Sequence, residues 1–277
     1  FRRGFGFPVS VCLANGGKLL VVPMDGGHWL SMRSVLVTLS QKEHKIVIVA
    51  PEGNLNVKAS DYYTLKTYPV PLTREELGAS MRSFANNSFE RRPFLQRITT
   101  LHEKVQVTFG LYVSSSTSLL HNRDLMRYLE GSKFDAVLRD PVVPCGQIVA
   151  LHLSIPSVFF LRGLPCSFDL QATQYPHPSS YVPRTFTDIS NLMTIIQHME
   201  NFFLKSLEYF LCNFAYLPFE LLASAVLHRA VTMKELLSHG CIWLKSTYFG
   251  FEYPVPVMPN IVFTGGINYG KKKPLSQ

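Results

Sequence analysis

Apolar positions along the chain follow two alternating rhythms. Lys18-Leu-Leu-Val-Val-Pro23 is a short apolar run closed by proline, the pattern of a strand buried on both faces. After the Asp25-Gly26-Gly27 turn, apolar residues recur at Trp29, Met32, Leu36 and Leu39, which is helical spacing. Residues 45–50 form a second β-branched run, ended by Pro51. Strand, helix and strand within roughly thirty residues make a βαβ unit, and such units build parallel sheets.

The rhythm returns with an apolar run at 134–139, a helical stretch from about 146 to 153 and another run at 157–161. The polar, mixed segment between the two copies predicts helices over 93–109 and 119–129. The expected fold is α/β, a doubly wound, Rossmann-like parallel sheet. Residues 174–184 are proline-rich and read as a loop over the sheet. Leu192, Ile195, Ile196, Met199, Phe202, Phe203, Leu207, Phe210 and Leu211 then form a wide helical stripe opposite Gln197, Glu200, Asn201 and Glu208. Such a stripe is expected to be core, with a membrane surface as the alternative. A second helix is predicted to open at Pro218. A third opens at Thr232, with Glu235 at capping-box spacing and Gly240 as its left-handed end. Residues 241–244 and 261–264 read as further strands, and 265–277 as a linker.

At 277 residues, 47% hydrophobic and 17% charged, the chain can bury one large core or two small ones and is not a disordered protein. A net charge of +8 raises nucleic acid, an anionic membrane or an anionic substrate as partners. Only Lys271, Lys272 and Lys273 form a run, and no stretch interleaves basic residues with stacking aromatics, so a nucleic-acid partner is not expected. The chain has no uninterrupted apolar run of ~18 residues, and no transmembrane helix is expected within it. Arg2 and Arg3 precede an apolar stretch, followed by Ala14-Asn15-Gly16. Residues 1–16 therefore read as a clipped secretory signal, with a buried first strand as the alternative. A secretory route makes Asn86, in Asn86-Asn87-Ser88, a glycosylation acceptor. Cys12, Cys145, Cys166, Cys212 and Cys241 do not suggest a disulfide framework and are expected to be mostly buried thiols.

In open α/β sheets, ligands bind beyond the carboxyl ends of the strands. His28 opens the helix after the first strand, and Asp140 directly follows the 134–139 run. A histidine backed by a carboxylate removes a proton from a hydroxyl. The plainer alternatives are an exposed first-turn histidine and an Asp-Pro turn residue. The G-x-G-x-x-G fingerprint, the P-loop pattern and cysteine pairs at zinc spacing do not occur, which argues against a dinucleotide-dependent dehydrogenase and other phosphate-cofactor chemistry.

Four segments carry a resemblance: GKLLVVPMDGGHWLSMRSV at 17–35, DPVVPCGQIVA at 140–150, IPSVFFLRGLPC at 155–166 and YPVPVMPNIVFTGGIN at 253–268. Together they resemble the family 1 UDP-glucuronosyltransferases almost from end to end. The resemblance implies the N-terminal, acceptor-binding half of a two-domain GT-B glycosyltransferase, here residues 17–264. The C-terminal domain that would hold UDP-glucuronic acid is expected to follow Gln277. His28 is then the base and Asp140 its partner. Transfer inverts the anomeric centre with no metal and no cofactor beyond the co-substrate. The implied acceptor is a lipophilic phenol, steroid or bile-pigment-like hydroxyl compound, and its pocket is expected from residues 52–129 and the loop after Phe160. The implied location is the lumenal side of the endoplasmic reticulum membrane, and the implied partners include homo- or hetero-oligomeric subunits. Arg139 stands where many relatives carry a small polar residue, and Tyr175 and Tyr269 where a cysteine is usual. The rival expectation is a non-catalytic module that binds lipophiles or pairs with complete subunits.

Overall fold

The computed structural model describes residues 16–267 apart from 72, 89–93, 165–166, 175, 177, 185–186, 188 and 247–252. Its centre is a seven-stranded, all-parallel sheet: β1 (Lys18–Val22), β2 (Lys45–Pro51), β3 (Thr64–Tyr68), β4 (Ala136–Arg139), β5 (Ser157–Leu161), β6 (Gly240–Lys245) and β7 (Ile261–Phe263). The strand order is β3-β2-β1-β4-β5-β6-β7, so the winding reverses between β1 and β4. The apolar runs of β1, β2 and β5 are buried in the sheet centre, as their unbroken composition requires. Two buried clusters cover its faces, one around Trp29, Met32 and Leu36 and a larger one around Phe159, Tyr216 and Leu236.

The helices are α1 (Gly27–Gln41), α2 (Arg74–Ser88), α3 (Phe94–His121), α4 (Arg123–Gly131), α5 (Cys145–His152), α6 (Phe168–Thr173), α7 (Ile195–Leu227) and α8 (Met233–Ser238). Three depart from expectation. The helices expected over 93–109 and 119–129 are divided at Asn122, which caps α4 by accepting from the Leu125 N–H at 3.0 Å, so α3 is one long element. α7 runs through Pro218 instead of restarting there. A proline inside a helix costs about 3 kcal/mol; Ala215, Tyr216, Phe219 and Ala223 are buried on either side of it and hold the helix continuous. Gly240 is not a left-handed helix end but the first residue of β6. It is glycine because a Cβ there would stand 2.4 Å from the buried Phe159 ring.

The largest correction concerns the stripe on α7, which faces outward. Leu192, just before the helix, and Ile195, Ile196, Met199, Phe202, Phe203 and Phe210 on it are exposed, whereas the polar Asn201 is completely buried. Asn201 accepts from the Arg184 N–H at 2.8 Å and donates to the Ser179 and Val182 carbonyls at 2.8 and 3.0 Å. The inward neighbour is a loop with unpaired backbone groups, so the helix turns its polar residue inward to satisfy them. α7 is also long and apolar enough, by length and composition alone, to cross a membrane. Scattered charges such as Glu200 and Lys205 conceal this in a count of uninterrupted apolar residues. Its buried residues around Tyr216 instead fasten it to the domain.

The cysteines also differ from expectation. Cys145 is a buried thiol and Cys241 an exposed one, but Cys212 is disulfide-bonded; spacing alone does not show what the fold brings together. Residues 1–15, including Cys12, the tail 268–277, and Cys166, Tyr175 and Tyr269 lie outside the described residues.

Candidate active site at the switch point

Val22 of β1 is the register partner of Arg139 of β4, so the two chains leave the sheet side by side where the winding reverses. Ligands bind at such switch points because the loops diverge there and leave a crevice. The β1 exit is the Asp25-Gly26-Gly27 turn. Gly26 has φ 79° and ψ −140°, a conformation essentially confined to glycine, and the turn starts α1 one residue before His28. The next residue, Trp29, is 1% exposed and packs edge-on against Tyr63 with centroids 5.9 Å apart. The buried indole fixes the first turn of α1 and leaves His28 at the rim.

His28 and Asp140 meet. The imidazole Nδ1 lies 2.5 Å from Asp140 Oδ2, with side-chain exposures of 32% and 1%. A carboxylate only accepts, so the neutral ring carries its proton on Nδ1 and presents the Nε2 lone pair. The hydrogen bond to Asp140 raises the His28 pKa above 6.5, aided by the carboxylate's charge and opposed by burial and by Arg162. Asp140 Oδ1 accepts from the Val142 N–H at 3.0 Å, which fixes the rotation of the carboxylate.

Beside Asp140 lies an open cleft with a cavity volume of about 70 Å³. The ends of β1, β2 and β3 form one side with Val22, Val49 and Tyr68, while α2 and α3 supply Leu77, Met81, Leu111, Tyr112 and Ser115. Asp25 and Asp140 are its acidic lining residues. Tyr68 and Ser115 pair through their hydroxyls at 3.1 Å. A mostly apolar lining with a few polar groups is the character of a small-molecule site. Residues between Gly53 and Ser115 supply about half of its lining, the ends and exits of β1, β2 and β4 the rest, and none of the described lining comes from the loop after Phe160.

Asp25 was read from the sequence only as a turn residue. Its Oδ1 accepts from Gly26 N at 2.6 Å, Asn56 N at 3.2 Å and Asn56 Nδ2 at 2.9 Å, and its Oδ2 accepts from Leu55 N. One carboxylate thus ties the histidine's turn to the loop after β2 that walls the cleft. An aspartate after an apolar strand is the only signal in sequence, and it does not point to partners 30 residues away.

Arg139 is fully buried; its Nη1 donates to Pro144 O at 3.0 Å and its guanidinium lies 4.6 Å from the Phe159 ring centroid. Burial lowers its pKa to about 9. Asn86 is exposed in the last turn of α2.

The fold and site define an α/β protein of the doubly wound class, with a histidine–carboxylate pair at the switch point and an apolar cleft beside it. Residues 17–277 match the family described as UDP-glucoronosyl and UDP-glucosyl transferase, and the chain belongs to it. It is 45% identical over 264 residues to UDP-glucuronosyltransferase 1A1 of Rattus norvegicus, covering 95% of this chain and 49% of that protein. It is 47% identical over 262 residues to UDP-glucuronosyltransferase 1A6 of Homo sapiens, again covering 95% and 49%. The chain spans about half the length of these curated relatives. Among solved structures, it is similar to the spinosyn forosaminyltransferase SpnP at a TM-score of 0.49 and 15% identity, covering 89% of this chain and 50% of that one. A UDP-glucosyltransferase from Polygonum tinctorium gives 0.48 and 14%, covering 95% and 55%.

Proposed function

We propose that this chain is the acceptor-binding half of a UDP-glucuronosyltransferase. The carrying observation is the 2.5 Å contact between His28 and Asp140, whose carboxylate lines a mostly apolar cleft. A lipophilic phenol, steroid or bile-pigment-like alcohol lies in the cleft with its hydroxyl toward His28. Nε2 takes the hydroxyl proton as the oxygen attacks the anomeric carbon of UDP-glucuronic acid. The bond from that carbon to the UDP oxygen breaks, UDP leaves with the electron pair, and the centre inverts. Asp140 holds the tautomer and stabilises the imidazolium. No metal is required for these steps, and the donor is held mainly by a second, GT-B-type domain.

The outward apolar face of α7 supports peripheral contact with a membrane, placed on the lumenal side of the endoplasmic reticulum, where Asn86 is open to glycosylation. The test joins this chain to the donor-binding half of a relative such as the rat 1A1 enzyme and assays glucuronide formation from a simple phenol. Product that disappears in His28→Ala supports the proposal. A folded chimera that binds the phenol and UDP-glucuronic acid but forms no product would favour a non-catalytic lipophile-binding or subunit-pairing module.

A further inference from the structure

We infer that Tyr216 is a positioning residue for the His28–Asp140 pair, acting through Val142; the inference rests on the pair being the reactive centre. The segment after β4, Asp140-Pro141-Val142-Val143-Pro144, contains two prolines, which have no N–H with which to anchor it. It is held through its other groups. The Val142 N–H donates to Asp140 Oδ1 at 3.0 Å, and the Val142 carbonyl accepts from the Tyr216 hydroxyl at 3.3 Å. Val142 is therefore gripped at both ends, by the carboxylate it orients and by a side chain from α7.

Tyr216 is suited to serve as a fixed point. It is 1% exposed and its ring meets Phe109 and Phe168 at centroid distances of 4.8 and 4.9 Å, with Phe219 at 5.9 Å. These contacts ask only for an aromatic ring, which phenylalanine would supply. A buried hydroxyl is costly unless paired, so the bond to Val142 is what distinguishes tyrosine here. Burial and the charge of Asp140 push its pKa up, so the phenol remains a donor throughout the working range of the protein. The charged groups acting on His28 are Asp140 and Arg162, and those beside Asp140 include Arg139; Tyr112 and Tyr216 are the titratable hydroxyls that feel its charge.

The readout is the NMR titration of His28 in the 277-residue chain, its signal assigned by loss in His28→Gln. In the wild type the imidazole titrates above 6.5, because Asp140 is held against it. Tyr216→Phe keeps the ring, releases the Val142 carbonyl and moves the titration down toward 6.5. Phe219→Leu disturbs the same aromatic cluster without touching the hydroxyl and leaves the titration in place. An unmoved titration in Tyr216→Phe, or an equal shift in both variants, would overturn the inference. Asp140→Asn separates the two layers of argument. If it lowers the His28 pKa while Tyr216→Phe does not, the pair stands and the role of Tyr216 fails; if it leaves the pKa unchanged, the pair itself fails.

Discussion

Val22 and Arg139 are partners across the β1–β4 boundary, and this single register sets His28 against Asp140. A two-residue slip would separate their strand exits by about 6.6 Å, at a rise of ~3.3 Å per residue. In the chimera with a relative's donor-binding half, His28→Ala should lose about 10²–10⁴-fold in turnover, the usual contribution of a positioned base. Asp140→Asn should lower kcat with little change in acceptor affinity. Because Asp140 raises the His28 pKa, that substitution should also move the acidic limb of the pH–rate profile to lower pH. Near-wild-type turnover in His28→Ala, from steady-state rates with a phenol, would remove the base assignment.

The pair also carries a stability signature. His28 has a higher pKa in the folded state than its ordinary 6.5, so between those values the native state binds more protons than the unfolded one. Its stabilisation is fully present below pH 6.5 and declines as pH rises through the folded pKa. Urea unfolding from pH 5 to 9 should show this decline in the wild type and not in His28→Gln. Parallel curves for the two proteins would contradict it.

Much of the fold was legible because its central strands are unbroken apolar runs and α1 has a clear apolar face. β3 was missed: Thr64-Leu-Lys-Thr-Tyr68 alternates weakly and lies at the sheet edge. α2 was missed because its composition is polar, although Thr73 and Glu76 form a reciprocal cap, with Thr73 N donating to Glu76 at 2.8 Å and Glu76 N to Thr73 at 3.2 Å. His28 and Asp140 were each readable as strand-exit residues. That their strands are neighbours is a property of strand order, which local pattern does not contain. The direction of the α7 stripe was misread because periodicity shows that a helix has two faces without showing which one meets the domain.

Gly240 offers a test of packing at the β5–β6 boundary. A Cβ there meets Phe159 ring atoms at 2.4, 2.8 and 2.9 Å. That ring has little room to give, lying 4.5 Å from the Trp243 ring centroid and beneath the Arg139 guanidinium. Gly240→Ala should therefore destabilise the fold by about 1–3 kcal/mol, measured by urea denaturation. A change near zero would show that β6 can shift away from Phe159.

The outward face of α7 leads to the last prediction. Ile195, Ile196, Met199, Phe202, Phe203 and Phe210 stand in solvent on one helix, while Asn201 and Tyr216 are buried against the domain. Each large apolar side chain gains roughly 1.5–3 kcal/mol when fully buried, so even partial insertion of several offsets the entropy of docking. A formal charge of +8 adds attraction to an anionic surface. The chain without residues 1–16 should float with phosphatidylserine-containing liposomes. Replacing Phe202, Phe203 and Phe210 with serine should return it to the soluble fraction while leaving its circular dichroism unchanged, because these rings contribute little to the core. High salt should weaken binding only in part, since apolar insertion is not screened. Recovery of the unaltered chain wholly in the soluble fraction, or flotation unaffected by the three substitutions, would show that this face is not the membrane contact.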